Sequence, residues 1–179
     1  PVQVTWSRED DFLGDYYRPC GKNELRAGLD AKGNLVAWHH LVRSPSISRQ
    51  NFGGRPGHPD ILEGAIGFPC RTATIRIDAA APTVGVRLGW WRSVYASQNA
   101  FPEECFVDEL AHAAGKDPLA FRQGLLPPEH PLQAVLALAR EKSDWGRKLP
   151  RGVARGVACH SSFGSHVAEV AEVSVRKGA

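Results

Sequence analysis

Hydrophobic and polar residues alternate along much of the first half of the chain, which is the period of a half-buried β-strand. The clearest case is the pair of segments 23–31 and 34–42. They flank Lys32 and Gly33, a combination typical of a tight turn between antiparallel strands. The same alternation predicts strands or extended segments at residues 2–7, 72–79, 82–91, 153–159 and 166–175.

Three polar or glycine-rich segments separate these strands. Residues 44–69 are rich in Gly, Pro, Ser and Asn and predict a loop with one helical turn near residues 60–65. Within it, NFGGRPG at 51–57 lacks the Lys-Ser/Thr pair of a phosphate-binding P-loop, so we interpret it as a mobile loop. The carboxylates of REDD at 8–11 predict a solvated acidic turn rather than a cation site.

Between residues 99 and 143 the apolar positions recur every three to four residues, which predicts three helices. The first is expected to begin at Pro102, where Glu103 and Glu104 would meet the positive end of the helix dipole. Its apolar stripe comprises Phe106, Val107, Leu110, Ala111 and Ala114, and Gly115 closes it. The second helix begins at Asp117-Pro118 and the third at Pro131.

This order of elements predicts an α+β fold, with antiparallel β hairpins carrying about three helices on one side. We expect a partial domain over residues 1–179, with mainly strands and loops in 1–95, helices in 96–145 and closing strands in 152–179. The chain contains no methionine and opens and closes on strand-like segments, so we interpret it as part of a longer polypeptide.

Composition narrows the classes of function. The 179 residues are 42% hydrophobic and 23% charged, as in a globular domain. The net charge is only +3 and the basic residues are scattered, so the sequence does not predict nucleic-acid binding. The four cysteines contain no CxxC pair and are interpreted as free thiols. No segment is a membrane span or a signal peptide, which leaves cytoplasm and periplasm open.

The histidines do not predict a metal site. His39 and His40 are adjacent on a predicted strand, so their side chains point to opposite faces and cannot share an ion. His160 and His166 flank SSFGS without the spacing of four residues that places two ligands on one helix face. We therefore interpret all four as ordinary structural residues.

Two arginines stand beside pairs of aromatic residues. Arg18 follows two tyrosines and precedes a proline, and Arg92 follows two tryptophans. One interpretation is cation–π packing, worth about 0.5–2 kcal/mol. The other is that the guanidinium groups converge on an anionic or carbonyl-bearing ligand, to which each can donate two parallel hydrogen bonds. Spacing alone does not decide between them.

Several motifs together resemble a known family. REDDFLGDYYRP, LRAGLDAKGNLVAW, GWWRSVYASQNAFPEECFVDELAHAAGKDPLAFR and GVARGVACHSSFGSHVAEVAEVSV occur in this order and cover most of the chain. They resemble the large, molybdenum-binding subunit of the molybdenum hydroxylases. The most similar branch is the isoquinoline 1-oxidoreductase beta-subunit type, which includes bacterial aldehyde dehydrogenases.

The resemblance implies an oxidoreductase that inserts oxygen from water into a C–H bond of an aldehyde or N-heterocycle. The reaction takes place at molybdenum held by a pterin, usually molybdopterin cytosine dinucleotide in bacteria. Electrons would pass to a [2Fe–2S] small subunit, with a cytochrome as a candidate acceptor. The family's glycine-rich cofactor loop and catalytic glutamate do not occur in this sequence, so we expect the isolated chain to lack the cofactor and to be inactive.

The resemblance also assigns roles to individual residues. Arg18 matches an arginine that orients the substrate and stabilises developing negative charge. Arg92, with Ser93 and Val94, matches a loop packed beside the molybdenum ligands, and Val94 stands where relatives carry an aromatic residue that stacks on the substrate. Phe163 corresponds loosely to a second aromatic residue of the pocket. No residue of the chain is predicted to ligate the metal directly.

One departure from the family pattern concerns Tyr95, which stands where this branch usually has glycine. Because tyrosine is much larger than glycine, we expect the backbone after Ser93-Val94 to approach the pocket differently and the pocket to be narrower. The alternative to an enzyme is a non-catalytic binding or scaffold module, in which the arginine and aromatic clusters are structural.

Overall fold

The computed structural model describes residues 1–53, 60–72 and 74–175. Much of the NFGGRPG loop and the Lys177-Gly178 end of the chain lie outside these residues. The described elements, in chain order, are α1 (Arg8–Gly14), β1 (Lys22–Leu29), β2 (Leu35–Arg43), α2 (Ile47–Phe52), a short 3-10 helix (Asp60–Leu62), β3 (Thr74–Ala80), α3 (Ala96–Ala113), α4 (Pro118–Leu125), α5 (Leu132–Lys142), β4 (Val153–Ser162) and β5 (Ser165–Ser174).

The predicted hairpin around Lys32-Gly33 is confirmed. Strands β1 and β2 pair antiparallel. The Asp30 carboxylate closes the turn by accepting from the backbone N–H groups of Lys32 and Asn34, both at 2.8 Å. Gly33 adopts a left-handed φ of 70°, which glycine reaches without steric cost.

The third strand differs from the antiparallel expectation. Strand β3 pairs parallel with β2, from Ala37 opposite Thr74 to Arg43 opposite Ala80. A parallel neighbour needs a long crossover, and the segment 44–73 provides it. This segment contains the predicted helical turn, now the 3-10 helix, and also α2, which the glycine- and proline-rich composition did not predict.

Two predictions for the N-terminal region are wrong. Residues 2–7 form no strand, and Val2, Val4 and Trp6 are exposed, because no partner strand lies beside them among the described residues. REDD forms the first turn of α1 rather than an acidic turn. Ser7 caps this helix, since its hydroxyl accepts from the Asp10 N–H while the Asp10 carboxylate accepts from the Ser7 N–H.

The three predicted helices are present as α3, α4 and α5, but α3 begins at Ala96, six residues before Pro102. Pro102 therefore lies inside the helix rather than in its first turn. Glu103 and Glu104 consequently occupy the helix interior, where they face protein instead of the positive end of a dipole.

Helices α3, α4 and α5 pack against two separate sheets. The predicted α3 stripe of Val107, Leu110 and Ala111 packs against Trp38 of β2 and Phe121 of α4. A second cluster joins α4 and α5 to the β4–β5 hairpin through Leu119, Leu126, Leu132, Leu136, Val157 and Cys159. None of the described helices combines the length and apolar character that a bilayer span requires.

Candidate functional site

The first part of the candidate site is a surface formed by Arg18, the loop 92–94 and Ser97, which we call the arginine rim. The Tyr17 N–H donates to the Arg87 carbonyl at 2.9 Å, and the Gly89 N–H donates to the Tyr17 carbonyl at 3.0 Å. Arg18 then donates from Nη2 to the Ser97 hydroxyl at 2.7 Å. Residues 79 positions apart in sequence are thus in contact, and Arg18 lies beside the start of α3.

The loop leading into α3 holds two consecutive residues in the left-handed region, Ser93 at φ 66° and Val94 at φ 49°. Such a conformation is costly for a β-branched residue and persists only where surrounding contacts hold it. The Val94 N–H donates to the Trp91 carbonyl at 2.9 Å, and the Ala96 N–H donates to the Ser93 carbonyl at 2.9 Å. Arg92 itself is exposed, so its guanidinium faces outward from a constrained backbone.

Cation–π packing does not account for Arg18 or Arg92. In the described part of the chain, the arginine that lies over an aromatic ring is Arg87, with its guanidinium carbon 5.2 Å from the centre of the Tyr16 ring. Gly89 permits this arrangement, because a Cβ atom there would lie 2.5 Å from the Tyr16 Cβ. The aromatic neighbours in sequence are therefore not the partners of Arg18 or Arg92.

Tyr95 does not narrow a pocket, contrary to the expectation. Its side chain is 1% exposed and points into the core. Its hydroxyl donates to the Pro45 carbonyl at 2.8 Å and accepts from the Ile47 N–H at 3.0 Å. Burial raises the pKa of Tyr95 to about 12. The residue therefore ties the end of the strained loop to the start of α2.

The second part of the site is a cavity of about 190 Å³ bounded by residues 63–70, α3, α4 and the end of β4, which we call the central cavity. Its apolar lining comprises Ile66, Phe68, Val107, Leu125, Leu126 and Leu132. Phe163 lies at its edge in the β4–β5 turn, with a left-handed φ of 49° that a two-residue hairpin turn requires. Of the residues predicted for the site, Phe163 lines this cavity, and Arg18, Arg92, Ser93 and Val94 do not.

A groove of about 620 Å³ runs between α3 and the β4–β5 hairpin. Ser97, which accepts the Arg18 hydrogen bond, lies in its lining. The groove and the central cavity share Glu104, Cys159 and His160. The arginine rim and the cavity are thereby connected along one face of α3.

Buried ion pairs brace the cavity. Arg122 is 2% exposed and donates from Nε to the Glu104 carboxylate at 2.8 Å and from Nη1 to the Asp108 carboxylate at 2.6 Å. The same Glu104 oxygen accepts from the Cys159 N–H at 2.8 Å, which fastens β4 to α3. Burial raises the pKa of Glu104, and Arg122 opposes that shift.

A second buried pair joins α3 to β2. His40 Nδ1 lies 3.0 Å from the Glu103 carboxylate, and His40 Nε2 lies 2.7 Å from the Asn23 amide oxygen. Burial raises the pKa of Glu103, while the hydrogen bond from His40 lowers it. His39 points to the other face and contacts Asp78 at 2.8 Å, as the strand period predicts.

The buried carboxylates and Arg122 were not predicted from the sequence as parts of the site. A signal for Glu103 exists, because it lies four residues before Val107 and so belongs to the same apolar stripe of α3. Arg122 has no such signal, since its partners come from another helix.

Burial favours the uncharged forms of the two thiols and of His160 in the cavity. Burial raises the pKa of Cys70 and of Cys159 to about 12, so neither is a thiolate. Burial lowers the pKa of His160. In residues 1–53, 60–72 and 74–175 no three His, Cys, Asp or Glu side chains are grouped as a metal site would require.

The chain is similar to three curated relatives. It is 30% identical to the beta subunit of isoquinoline 1-oxidoreductase from Brevundimonas diminuta over 96% of this chain and 23% of the relative. It is 28% identical to the membrane-bound aldehyde dehydrogenase [pyrroloquinoline-quinone] of Gluconacetobacter polyoxogenes over 88% of this chain and 24% of the relative. It is 30% identical to a nicotinate dehydrogenase subunit of Pseudomonas putida over 81% of this chain and 13% of the relative.

Solved structures show the same fold. Quinoline 2-oxidoreductase from Pseudomonas putida 86 matches with a TM-score of 0.61 and 17% identity, over 87% of this chain and 23% of that chain. The aldehyde oxidoreductase from Desulfovibrio gigas matches with a TM-score of 0.52 and 20% identity, over 80% of this chain and 18% of that chain. No protein-family model matches the sequence.

The chain therefore spans a quarter or less of the length of these relatives. The α+β fold and the family resemblance are both confirmed. The chain is similar to one segment of the isoquinoline 1-oxidoreductase beta subunit and of the aldehyde dehydrogenase, and its fold matches one segment of the solved oxidoreductases.

Proposed function

We propose that this chain supplies part of the cofactor- and substrate-facing surface of a molybdenum-dependent oxidoreductase. The enzyme would hydroxylate an aldehyde or an aromatic N-heterocycle with oxygen derived from water. The observation that carries the proposal is the hydrogen bond from Arg18 to Ser97. It joins the two arginine segments at the start of α3, although they are far apart in sequence.

The residues of the arginine rim fit an anionic, oxygen-rich cofactor. Arg92 is an exposed cation on a constrained loop, and a guanidinium group donates paired hydrogen bonds to phosphate or carbonyl oxygens. Arg92, Ser93 and Val94 would therefore hold the edge of a molybdenum pterin, in the cytosine dinucleotide form. When bound, that group supplies the oxygen-insertion and redox chemistry.

The central cavity fits the substrate. Its apolar residues and the Phe163 ring at its edge suit a planar organic molecule, and Arg18, which is bonded to Ser97 in the lining of the neighbouring groove, would orient the polar end there. The relatives' names include isoquinoline, nicotinate and aldehyde as substrates, which agrees with a small planar or carbonyl-bearing class. We further propose that electrons leave through a [2Fe–2S] small subunit.

The test uses the full-length enzyme and measures molybdenum content and turnover together. Arg18→Ala and Arg92→Ala are each expected to lower kcat about 100-fold, as loss of one charge-stabilising donor does. The melting temperature should remain unchanged because both side chains are exposed. Arg151→Ala, an exposed arginine outside the rim, is the matched control.

Wild-type turnover in both rim variants would overturn the assignment of the arginines. A full-length protein that contains no molybdenum would favour the non-catalytic module. The two outcomes are distinguishable because molybdenum content is measured independently of turnover.

A further inference from the structure

Residues 44–47 directly follow strand β2 and are all buried, and we call them the anchor segment. The Ser44 N–H donates to the Ala80 carbonyl at 3.1 Å, which fixes the segment to the end of β3. The Ser46 hydroxyl donates to the Asp60 carboxylate at 2.5 Å, which fixes it to the 3-10 helix. The anchor segment is therefore held by the sheet and by the crossover independently of the arginine rim.

Ser44 connects the anchor segment to the backbone that carries Arg18. Its hydroxyl donates to the Cys20 carbonyl at 2.8 Å and accepts from the Gln98 side chain of α3 at 3.2 Å. Ser44 is fully buried, and Pro19, the residue next to Arg18, is buried as well. Because a lost bond leaves a buried polar group unpaired, these contacts constrain the chain directly after Arg18.

Tyr95 connects the anchor segment to the loop that carries Arg92. The Tyr95 hydroxyl donates to the Pro45 carbonyl at 2.8 Å and accepts from the Ile47 N–H at 3.0 Å. Tyr95 directly follows the two residues with left-handed φ, and it is the first buried side chain after Arg92. A loop in this conformation persists only where the surrounding contacts hold it, and the Tyr95 hydroxyl provides such contacts.

The first turn of α3 extends this attachment. Tyr95 and Asn99 are four positions apart, so their side chains share the buried face of the turn. The Asn99 amide donates to two carbonyl groups of the crossover, at 2.8 and 2.9 Å. Ser97 lies halfway between them, on the opposite face, where it accepts from Arg18. The turn is therefore fixed on its buried face and contributes to the rim on its outer face.

We propose that Ser44 and Tyr95 are positioning residues of the arginine rim, which hold the segments of Arg18 and Arg92 in one arrangement. The inference rests on the proposed function, because it takes the rim as the surface that faces cofactor and substrate. Both side chains are buried, so they act through the arginines rather than on a ligand. A displacement of about 1 Å at a positioned group is enough to lower turnover strongly.

The first test measures kcat/KM of the full-length enzyme after removal of each hydroxyl. Tyr95→Phe and Ser44→Ala are each expected to lower kcat/KM about tenfold. Once the matching arginine is absent, the hydroxyl has nothing left to position. Tyr95→Phe in an Arg92→Ala background, and Ser44→Ala in an Arg18→Ala background, should therefore each cost about twofold or less.

Two matched controls remove hydroxyl groups that are exposed and lie outside the rim. Tyr16→Phe keeps the ring that faces Arg87, and Ser174→Ala is a change on the outer strand of the hairpin β4–β5. Both controls should leave kcat/KM unchanged. They separate the loss of a positioning contact from the general effect of removing a hydroxyl group.

The second test is hydrogen exchange of the backbone, which requires neither cofactor nor turnover. In Tyr95→Phe the amide groups of residues 92–98 should exchange at least about tenfold faster, whereas those of residues 104–112 should change by less than about threefold. If neither hydroxyl variant accumulates, the unmodified enzyme still provides a test. Its Val94 and Ala96 amide groups, which are hydrogen-bonded, should exchange at least about 100-fold more slowly than in an unfolded chain.

Full multiplicative losses in the double variants would overturn the inference, as would parental kcat/KM in both single variants. Unchanged exchange of residues 92–98 in Tyr95→Phe, or unprotected amide groups in the unmodified enzyme, would overturn it as well. Parental turnover of both arginine variants overturns the proposed function instead. The two failures are distinguishable because hydrogen exchange reports on the anchor contacts alone.

Discussion

Adjacent histidines on strand β2 illustrate how strongly the cost of a substitution depends on which face a side chain occupies. His40 is fully buried against Glu103, whereas His39 is partly exposed beside Asp78. Removing one partner of a buried pair leaves an uncompensated polar group in the interior. Near the surface, water solvates the remaining partner, so the same removal costs less stability.

We predict that His40→Leu lowers the free energy of unfolding by about 3–5 kcal/mol, while His39→Leu lowers it by about 1 kcal/mol or less. Urea denaturation of the two variants provides the measurement. The double variant His40→Leu/Glu103→Leu should recover part of the loss, because it removes the orphaned carboxyl group as well. Equal losses in both single variants would contradict this account.

A second prediction at this scale concerns pH. Burial lowers the pKa of His160 below its usual value of about 6.5. At mildly acidic pH the unfolded chain therefore binds a proton that the folded chain does not, and stability rises with pH until about 6.5. His160→Gln should flatten this part of the stability profile.

The His160 prediction is tested by the difference in unfolding free energy between the variant and the parent chain at each pH. The difference is needed because buried carboxyl groups change stability with pH in the opposite direction. The pKa values of Glu63, Glu103 and Glu104 are raised, so their contribution to stability falls as pH rises above about 4.5. His112→Gln, exposed on α3, is the control. An identical profile for His160→Gln and the parent would refute the assignment.

At the scale of elements, most features set by local sequence were predicted correctly, whereas features set by long-range contacts were not. The β1–β2 hairpin and the start of α4 depend on residues within about five positions of each other, so their sequence predicts them. The parallel pairing of β3 depends on contacts across the fold, and so does the early start of α3, where the Asn99 side chain donates to the carbonyls of Ile61 and Glu63. The Ser7 cap of α1 is a local signal, and it was missed because the acidic run was interpreted as a turn.

The segment that bounds the central cavity depends on one glycine. Gly64 has a left-handed φ of 85°, and a Cβ atom there would lie 2.8 Å from the Ala96 Cα. Gly67 has a similar φ of 91° but open space around it. Alanine substitutions at the two positions therefore share the cost of backbone strain, and only the one at Gly64 adds a steric clash.

We predict that Gly64→Ala destabilises the chain by at least about 2 kcal/mol more than Gly67→Ala, since α3 must shift to accept the methyl group. Thermal unfolding of both variants is the measurement. Similar stabilities for the two variants would show that the approach of Gly64 to α3 is not tight in solution.

At the scale of the whole molecule, the candidate site combines residues that the sequence identified with residues that it did not. Arg18, Arg92, Ser93, Val94 and Phe163 were named from the family resemblance, and their roles remain predictions. Glu63 and Arg122 enter the site only through folding, because their neighbours are distant in sequence. A single sequence carries no direct record of such contacts.

Helix α3 contributes residues to both parts of the candidate site. The three-stranded sheet and the β4–β5 hairpin are separate, and α3 contacts both. Its first turn carries Ser97 at the arginine rim, and its middle carries Glu103 and Glu104 at the central cavity. Pro102 lies between these two parts of α3 and removes one backbone hydrogen bond of the helix, so the first turn at the rim has a point at which it can bend without displacing the carboxylates of the cavity.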